Sequence, residues 1–288
     1  CLLVQALQCF LPPGVSTRRS RPVTERRVKG YRLSVPVAEA VEYIRTRGDR
    51  APRQADVLRQ LLRAPDLPVA AAELAKAGGY GALRALVERN LIVEEYIHER
   101  RLPDAALQAE SHQVPTLTPA QSQAVSTALQ MLNDDAGGVQ TLLLHGVTGS
   151  GKTEVYMRIV GAVLEKGQGA IILVPDIALT PQTVGRFQSR FGNGIAVLHS
   201  RLSDGERYDE WQRIRAGEAR VVVGARSAVF APVKNLALIV IDEEHETSYK
   251  QDEAPRYHAR AVAEMRMKEA GGLVLLGSAT PSLEALHG

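Results

Sequence analysis

The chain has 288 residues, 45% of them hydrophobic, two cysteines and a net charge of only +3. That length allows two domains with real cores, and so small a net charge excludes a global basic field, so any nucleic-acid footprint must be local. Cys1 and Cys9 form neither a disulfide framework nor a C-x-x-C metal pair, which suits a reducing compartment, and the longest apolar runs, such as 236–241, are too short to span a membrane.

Residues 1–34 read as the end of one domain followed by a tether. The chain opens without Met inside the apolar stretch Cys1–Val4 and carries no signal-peptide pattern, so it reads as a piece of a longer protein. After Leu11-Pro12-Pro13-Gly14 come Arg18, Arg19, Arg21, Arg26, Arg27, Lys29 and Arg32 against the single acid Glu25. Such a run either tracks a phosphate backbone or is a solvated linker. Residues 35–102 are mostly helical by pattern. One amphipathic helix starts near Pro52 with Val57, Leu58, Leu61 and Leu62 on its apolar face, and a second runs from Pro68 to Lys76, before Gly78-Gly79. A third carries Leu83, Leu86, Val87 and Leu91, and 92–97 then alternates as a strand does. This pattern predicts a small winged-helix-like domain whose third helix offers Arg84 and Arg89 to DNA. The same pattern serves a protein-docking module, and Glu88, Glu94 and Glu95 would repel phosphates.

A polar linker covers 103–116, and the remainder, 117–288, reads as α/β. Thr118-Pro119-Ala120-Gln121 is a helix start with Thr at the N-cap, Pro at N1 and Gln at N3, and the helix runs to about Met131. Strands are predicted at 141–145, 170–174, 195–199, 220–223, 237–241 and 273–276. Several are unbroken apolar runs, as strands covered on both faces of a mainly parallel sheet must be. Thr180-Pro181 and the capping box Ser203–Glu206 start two of the intervening helices.

The apolar run 142–144 leads into Gly146-Val147-Thr148-Gly149-Ser150-Gly151-Lys152-Thr153, a complete phosphate-loop pattern. Glycines let backbone N–H groups turn toward a di- or triphosphate, and the following helix presents its positive N-terminus. Lys152 then reaches the β- and γ-phosphates and the Thr153 hydroxyl offers a Mg²⁺ ligand. A second apolar run, 238–241, ends in Asp242-Glu243-Glu244-His245. Strand ends in such sheets share one rim, so Asp242 is placed for Mg²⁺ and Glu243 to orient or deprotonate the attacking water. His245 either senses the γ-phosphate or packs. Gly277-Ser278-Ala279-Thr280-Pro281 closes the last strand, with small hydroxylated residues able to bond the acidic cluster.

Phosphate loop, Asp-Glu-x-His box and Ser-Ala-Thr, in this order, resemble the first three signatures of superfamily 2 helicases. Gly146–Tyr156, Val174–Gln182, Gly224–Phe230, Ser248–Gln251 and Pro255–Arg260 are further similar to the primosomal N′ family of replication-restart helicases, strongly over 115–286. The resemblance implies a first RecA-like lobe over 117–288, with Gly146 to Thr153 binding ATP, Thr153 and Asp242 serving Mg²⁺, Lys152, Asp242 and Glu243 catalysing hydrolysis, and Gln121 sensing the nucleotide. It implies that Pro175, Thr180, Gln182, Arg226 and Ser227 line a DNA strand, and that Tyr249, Lys250, Arg256 and Tyr257 form an aromatic-rich loop coupling single-stranded DNA to the ATPase, with His245 and Thr280 linking the two. Pro255 stands where some members have tryptophan, which leaves base stacking to Tyr257. The family's second lobe with its arginine finger, and its zinc-binding cysteines, have no counterpart in this sequence, so little hydrolysis is expected of the chain alone. Single-stranded and branched DNA, primosome proteins and single-strand-binding protein are the implied partners, in the bacterial cytoplasm at the nucleoid. Two rivals remain: another superfamily 2 translocase of the RecG or UvrB kind, and a non-catalytic DNA-binding or scaffold protein with a degenerate ATPase lobe.

Overall fold

In the computed structural model, which describes residues 9–11, 27–98, 115–134, 140–282 and 285, the chain divides into two units: residues 25–101, and residues 1–24 with 102–288. The smaller begins earlier than its helical pattern implies. Arg27–Leu33, expected in the tether, is a strand, β1, because its alternate residues Tyr31 and Leu33 are apolar and buried. There follow α1 (Val37–Arg47), α2 (Pro52–Leu61), β2 (Val69–Ala70), α3 (Ala71–Glu88) and β3 (Ile92–His98). The order is β2-β1-β3, antiparallel throughout, so the strand pair joins opposite ends of the unit rather than a local hairpin. The predicted second and third helices are the two halves of α3, which breaks at Gly79 (φ 77°). Helix α1 is an element that the sequence pattern did not single out. Leu58, Leu61, Leu74, Leu83, Leu86 and Ile92 form the core.

Two cations of the basic run are already paired in this sheet. Lys29 Nζ lies 2.9 Å from Glu94, and Arg32 is bound to Glu95. Both pairs are exposed, so they add little stability, but they neutralise two of the strand's three cations, leaving Arg27, toward any phosphate. Arg18, Arg19, Arg21 and Arg26 lie outside the described residues, as does the expected linker up to residue 114.

The larger unit alternates as its sequence predicts: α4 (Pro119–Met131), β4 (Gln140–His145), α5 (Lys152–Glu165), β5 (Gly169–Leu173), α6 (Pro181–Phe191), β6 (Ile195–Leu198), α7 (Asp204–Ala216), β7 (Val221–Gly224), β8 (Leu236–Ile241), β9 (Lys250–Gln251), β10 (Tyr257–His258), α8 (Ala259–Ala270) and β11 (Leu273–Ser278). Six strands pair in parallel in the order β4-β11-β8-β5-β7-β6, while β9 and β10 form a separate antiparallel hairpin. Strands buried on both faces must be apolar at every position. Accordingly Ile172, Val223, Val240 and Leu275 pack with α4, α5 and α6, and Ile171, Val222, Ile239 and Val274 pack against α8 on the other face. The Thr118 and Ser203 capping boxes are both formed, which fixes where α4 and α7 begin. All strand C-termini therefore open on one rim. No helix among the described residues is long and apolar enough to cross a membrane.

Candidate active site at the strand ends

Strand β4 ends at His145, and the phosphate loop turns from it into α5. Gly149 (φ 80°) and Gly151 (φ 84°) adopt left-handed backbone, which costs a residue with a Cβ roughly 1–2 kcal/mol. Gly151 is the N-cap of α5, so the first N–H groups of that helix face the loop's hollow. Lys152 is 8% exposed; its Nζ donates to the Gly146 carbonyl at 2.8 Å and stands 3.5 Å from Glu243 Oε1. A cavity of about 640 Å³ opens here, lined by Thr148, Gly149, Gly151, Lys152, Thr153, Asp242 and Glu243, and continued by Met157 and by Arg186 and Arg190 of α6. Gln121 braces the loop from outside. Its amide donates to the Ser150 carbonyl at 2.8 Å while its Oε1 accepts from Thr118 N at 2.9 Å.

The acidic box follows β8. Asp242 is largely buried, and burial first, then the charge of Glu243, pushes its carboxyl above the ordinary range, while a hydrogen bond from Tyr156 pulls it back. That bond runs from the Tyr156 hydroxyl to Asp242 Oδ1 at 2.9 Å. Burial, reinforced by Asp242, drives the Tyr156 hydroxyl far upward, so it stays a neutral donor. Glu243 has φ 46°, a left-handed backbone rare for a side-chain-bearing residue and of the kind that clusters at functional sites. Its carboxylate lies between Lys152 and His245, whose Nδ1 is 3.8 Å from Oε2.

The last strand is stitched to this box. Ser278, fully buried, brings Oγ to 2.8 Å from His245 Nδ1 and accepts from Thr280 N at 3.2 Å. Its carbonyl accepts from Gly146 N at 3.0 Å, tying β11 to the phosphate loop. Buried Glu244 donates its backbone N–H to Gly277 O at 2.9 Å and takes both N–H and hydroxyl bonds from Ser282. Of the Ser-Ala-Thr stretch, Ser278 thus bonds His245 of the box through its hydroxyl, while the acid Glu244 is bonded by Ser282 beyond that stretch.

The expected DNA-facing residues divide. Thr180, Gln182, Ser227, Lys250, Arg256 and Thr280 are exposed along the rim or hairpin. Three others are turned inward, which corrects the expectation of surface contacts. Pro175 is buried at the end of β5. Tyr249 is 1% exposed, and its hydroxyl donates to the Asp242 carbonyl at 2.6 Å, with the Leu173 carbonyl at 3.1 Å. A phenol in a polar stretch reads as surface, yet here its proton goes to the Asp242 carbonyl. Arg226 bonds Ser248 O at 3.0 Å, Lys250 O and Gln251 Oε1, and so clamps the β9–β10 hairpin instead of facing solvent. Its guanidinium lies 5.8 Å from the Tyr257 ring, whose centroid is 5.0 Å from Phe230 in an edge arrangement. Tyr257 therefore has much of its ring committed to the protein.

Tyr156, Glu244, Ser282 and Gly277 belong to this network and were not foreseen. Tyr156 sits four residues past Lys152 on the buried face of α5, where an aromatic reads as core; nothing in its spacing marks its hydroxyl.

Residues 118–287 match the DEAD/DEAH box helicase family. Among curated relatives, the replication restart protein PriA of Bacillus subtilis is 47% identical over 239 residues, covering 82% of this chain and 29% of that protein. The namesake of Synechocystis is 53% identical over 61% of this chain and 21% of its own length. That of Chlamydia trachomatis is 39% identical over 99% of this chain and 37% of its own. The chain thus spans roughly a third or less of the relatives it matches.

Proposed function

This chain belongs to the DEAD/DEAH box helicase family, and we propose that it is the ATP-binding lobe of a DNA helicase that restarts stalled replication forks. One observation carries the reading: phosphate loop and acidic box, distant in sequence, line one cavity, and the strand-end Ser278 is hydrogen-bonded to both, to Gly146 N and to His245. The relatives that share this sequence are themselves replication restart proteins.

The chemistry follows from the residues. Backbone N–H groups of Thr148 to Thr153 cradle the phosphates, and Lys152 exchanges its Gly146 carbonyl for β- and γ-phosphate oxygens. Thr153 and Asp242 offer hydroxyl and carboxylate oxygens on the same cavity wall, the donors a hard divalent ion takes. Magnesium bound there with ATP would offset phosphate charge. Glu243 orients a water onto the γ-phosphorus and accepts its proton as the new P–O bond forms and the bond to the ADP oxygen breaks, the electron pair leaving with ADP. His245 and Ser278 carry the loss of γ-phosphate from Glu243 to β11. Tyr249 and Arg226 join Asp242 to the hairpin, where Lys250 and Arg256 offer cations to a DNA backbone. Thr180, Gln182, Ser227 and Thr280 continue that path along the rim.

By the same resemblance, movement is 3′-to-5′ on single-stranded DNA at branched forks, in the bacterial cytoplasm at the nucleoid, with primosome proteins and single-strand-binding protein as partners. The test is ATP hydrolysis with and without single-stranded DNA by a full-length protein that carries this chain, since little hydrolysis is expected of the chain alone. Stimulation by DNA that Lys152→Ala abolishes is expected; hydrolysis indifferent to both overturns the reading.

A further inference from the structure

Asp242 has to present one carboxylate oxygen to the cavity from the end of a strand, and a free carboxyl rotor there would swing about its Cα–Cβ and Cβ–Cγ bonds. Three elements meet around it. Tyr156 projects from α5, four residues beyond Lys152, with 1% of its surface exposed and its hydroxyl 2.9 Å from Asp242 Oδ1. Strand β11 passes directly behind: a Cβ added at Gly277 would lie 1.6 Å from the Tyr156 oxygen and 3.3 Å from Asp242 Oδ1. From the main-chain side, Tyr249 holds the Asp242 carbonyl. We infer that Tyr156 is a positioning residue for the divalent-cation ligand Asp242, fixing Oδ1 through its hydroxyl so that the other oxygen faces the phosphate-loop cavity, and that Gly277 is glycine to leave room for that hydroxyl.

This inference rests on the ATP-and-metal reading of the cavity. Its logic is that of an outer residue orienting an inner ligand, whose removal typically costs about 10–100-fold in metal affinity. The phenol is not needed for packing alone, since phenylalanine would fill the same volume between α5 and the sheet. Nor is it a surface tyrosine with water as an alternative partner. Its hydroxyl is spent on Asp242, and the strand behind it has surrendered a side chain to accommodate it.

The experiment measures binding of Mn²⁺ to the protein by electron paramagnetic resonance in the presence of a non-hydrolysable ATP analogue, together with affinity for the analogue in EDTA. Tyr156→Phe is expected to weaken Mn²⁺ binding by about tenfold or more and to leave the metal-free nucleotide affinity and the cooperative thermal transition in place. A purely structural tyrosine would shift the melting curve and spare the Mn²⁺ titration; that result overturns the inference. Asp242→Asn separates the two levels. If it leaves Mn²⁺ binding intact, the metal reading itself fails; if it abolishes binding while Tyr156→Phe matches wild type, only the positioning role fails. Gly277→Ala, which crowds the hydroxyl without removing it, is the second variant: weakened Mn²⁺ binding supports the inference, and unchanged binding contradicts it.

Discussion

Lys152 and Lys29 each face a glutamate, and the shorter pair is the less consequential one. Lys29 stands 2.9 Å from Glu94 on the antiparallel sheet of the small unit, with 56% of its side chain exposed. Lys152 stands 3.5 Å from Glu243 with 8% exposed, at the edge of an open cavity. Water and salt screen the first pair, and both partners lose rotamer freedom to make it. The second cation is held in poor solvent by a carbonyl and a distant carboxylate, an arrangement that phosphate oxygens improve. Burial beside a cavity, more than proximity of opposite charge, marks where chemistry is prepared.

The sharpest way to break this contrast is at Glu243. In a full-length protein that carries this chain, Glu243→Gln keeps the volume and removes the proton acceptor, so hydrolysis should fall by about 10²–10⁴-fold, measured by phosphate release. Nucleotide affinity should be retained or rise, because Lys152 loses a competing charge. The corresponding change on the other sheet, Glu94→Gln, should leave hydrolysis untouched. Equal effects at the two glutamates would mean that the cavity is no more specialised than the surface.

How much of this contrast was legible beforehand depends on what each residue's environment demands. The central parallel strands were readable because double coverage requires apolar side chains at nearly every position, and 238–241 satisfies that with no ambiguity. The phosphate loop was readable because its spacing and glycines have a single geometric purpose. Strand β1 was not. As a partly exposed strand it keeps cations at Arg27, Lys29 and Arg32, so its two buried apolar residues were lost in a charge run. Tyr249 and Arg226 were misjudged for one reason. Their residue types favour nucleic-acid surfaces, and only tertiary structure reveals the backbone carbonyls that claim their donors. Tyr156 was invisible because a buried aromatic on a helix is ordinary core, and its hydroxyl acquires meaning only 86 residues later at Asp242.

Arg226 supplies the intermediate test. Its bonds to the hairpin are charge-assisted, but only the one to Gln251 is partly buried and those to Ser248 and Lys250 are exposed, so Arg226→Ala should destabilise the larger unit by about 0.5–1.5 kcal/mol, read as a lower denaturation midpoint. As a clamp it should also uncouple: stimulation of hydrolysis by single-stranded DNA should disappear while the DNA-independent rate and nucleotide affinity persist. A direct DNA contact predicts otherwise, namely weaker DNA binding at unchanged stability. The two roles are thus separated by a melting curve and a DNA titration on the same variant.

The smallest expected effect belongs to the small unit, and it decides between DNA reader and docking module. Glu94 and Glu95 neutralise Lys29 and Arg32, so replacing both acids by Gln frees two cations without altering the strand register. If that face meets DNA, affinity should rise modestly at low salt. The slope of log affinity against log salt should then steepen by at most about two, since each neutralised phosphate contributes roughly 0.9. Unchanged affinity and slope would mean that the acids are not shielding a phosphate contact. The face would then be solvated or protein-facing, and contact with DNA would lie with the rim and hairpin of the larger unit, where Lys250 and Arg256 remain exposed.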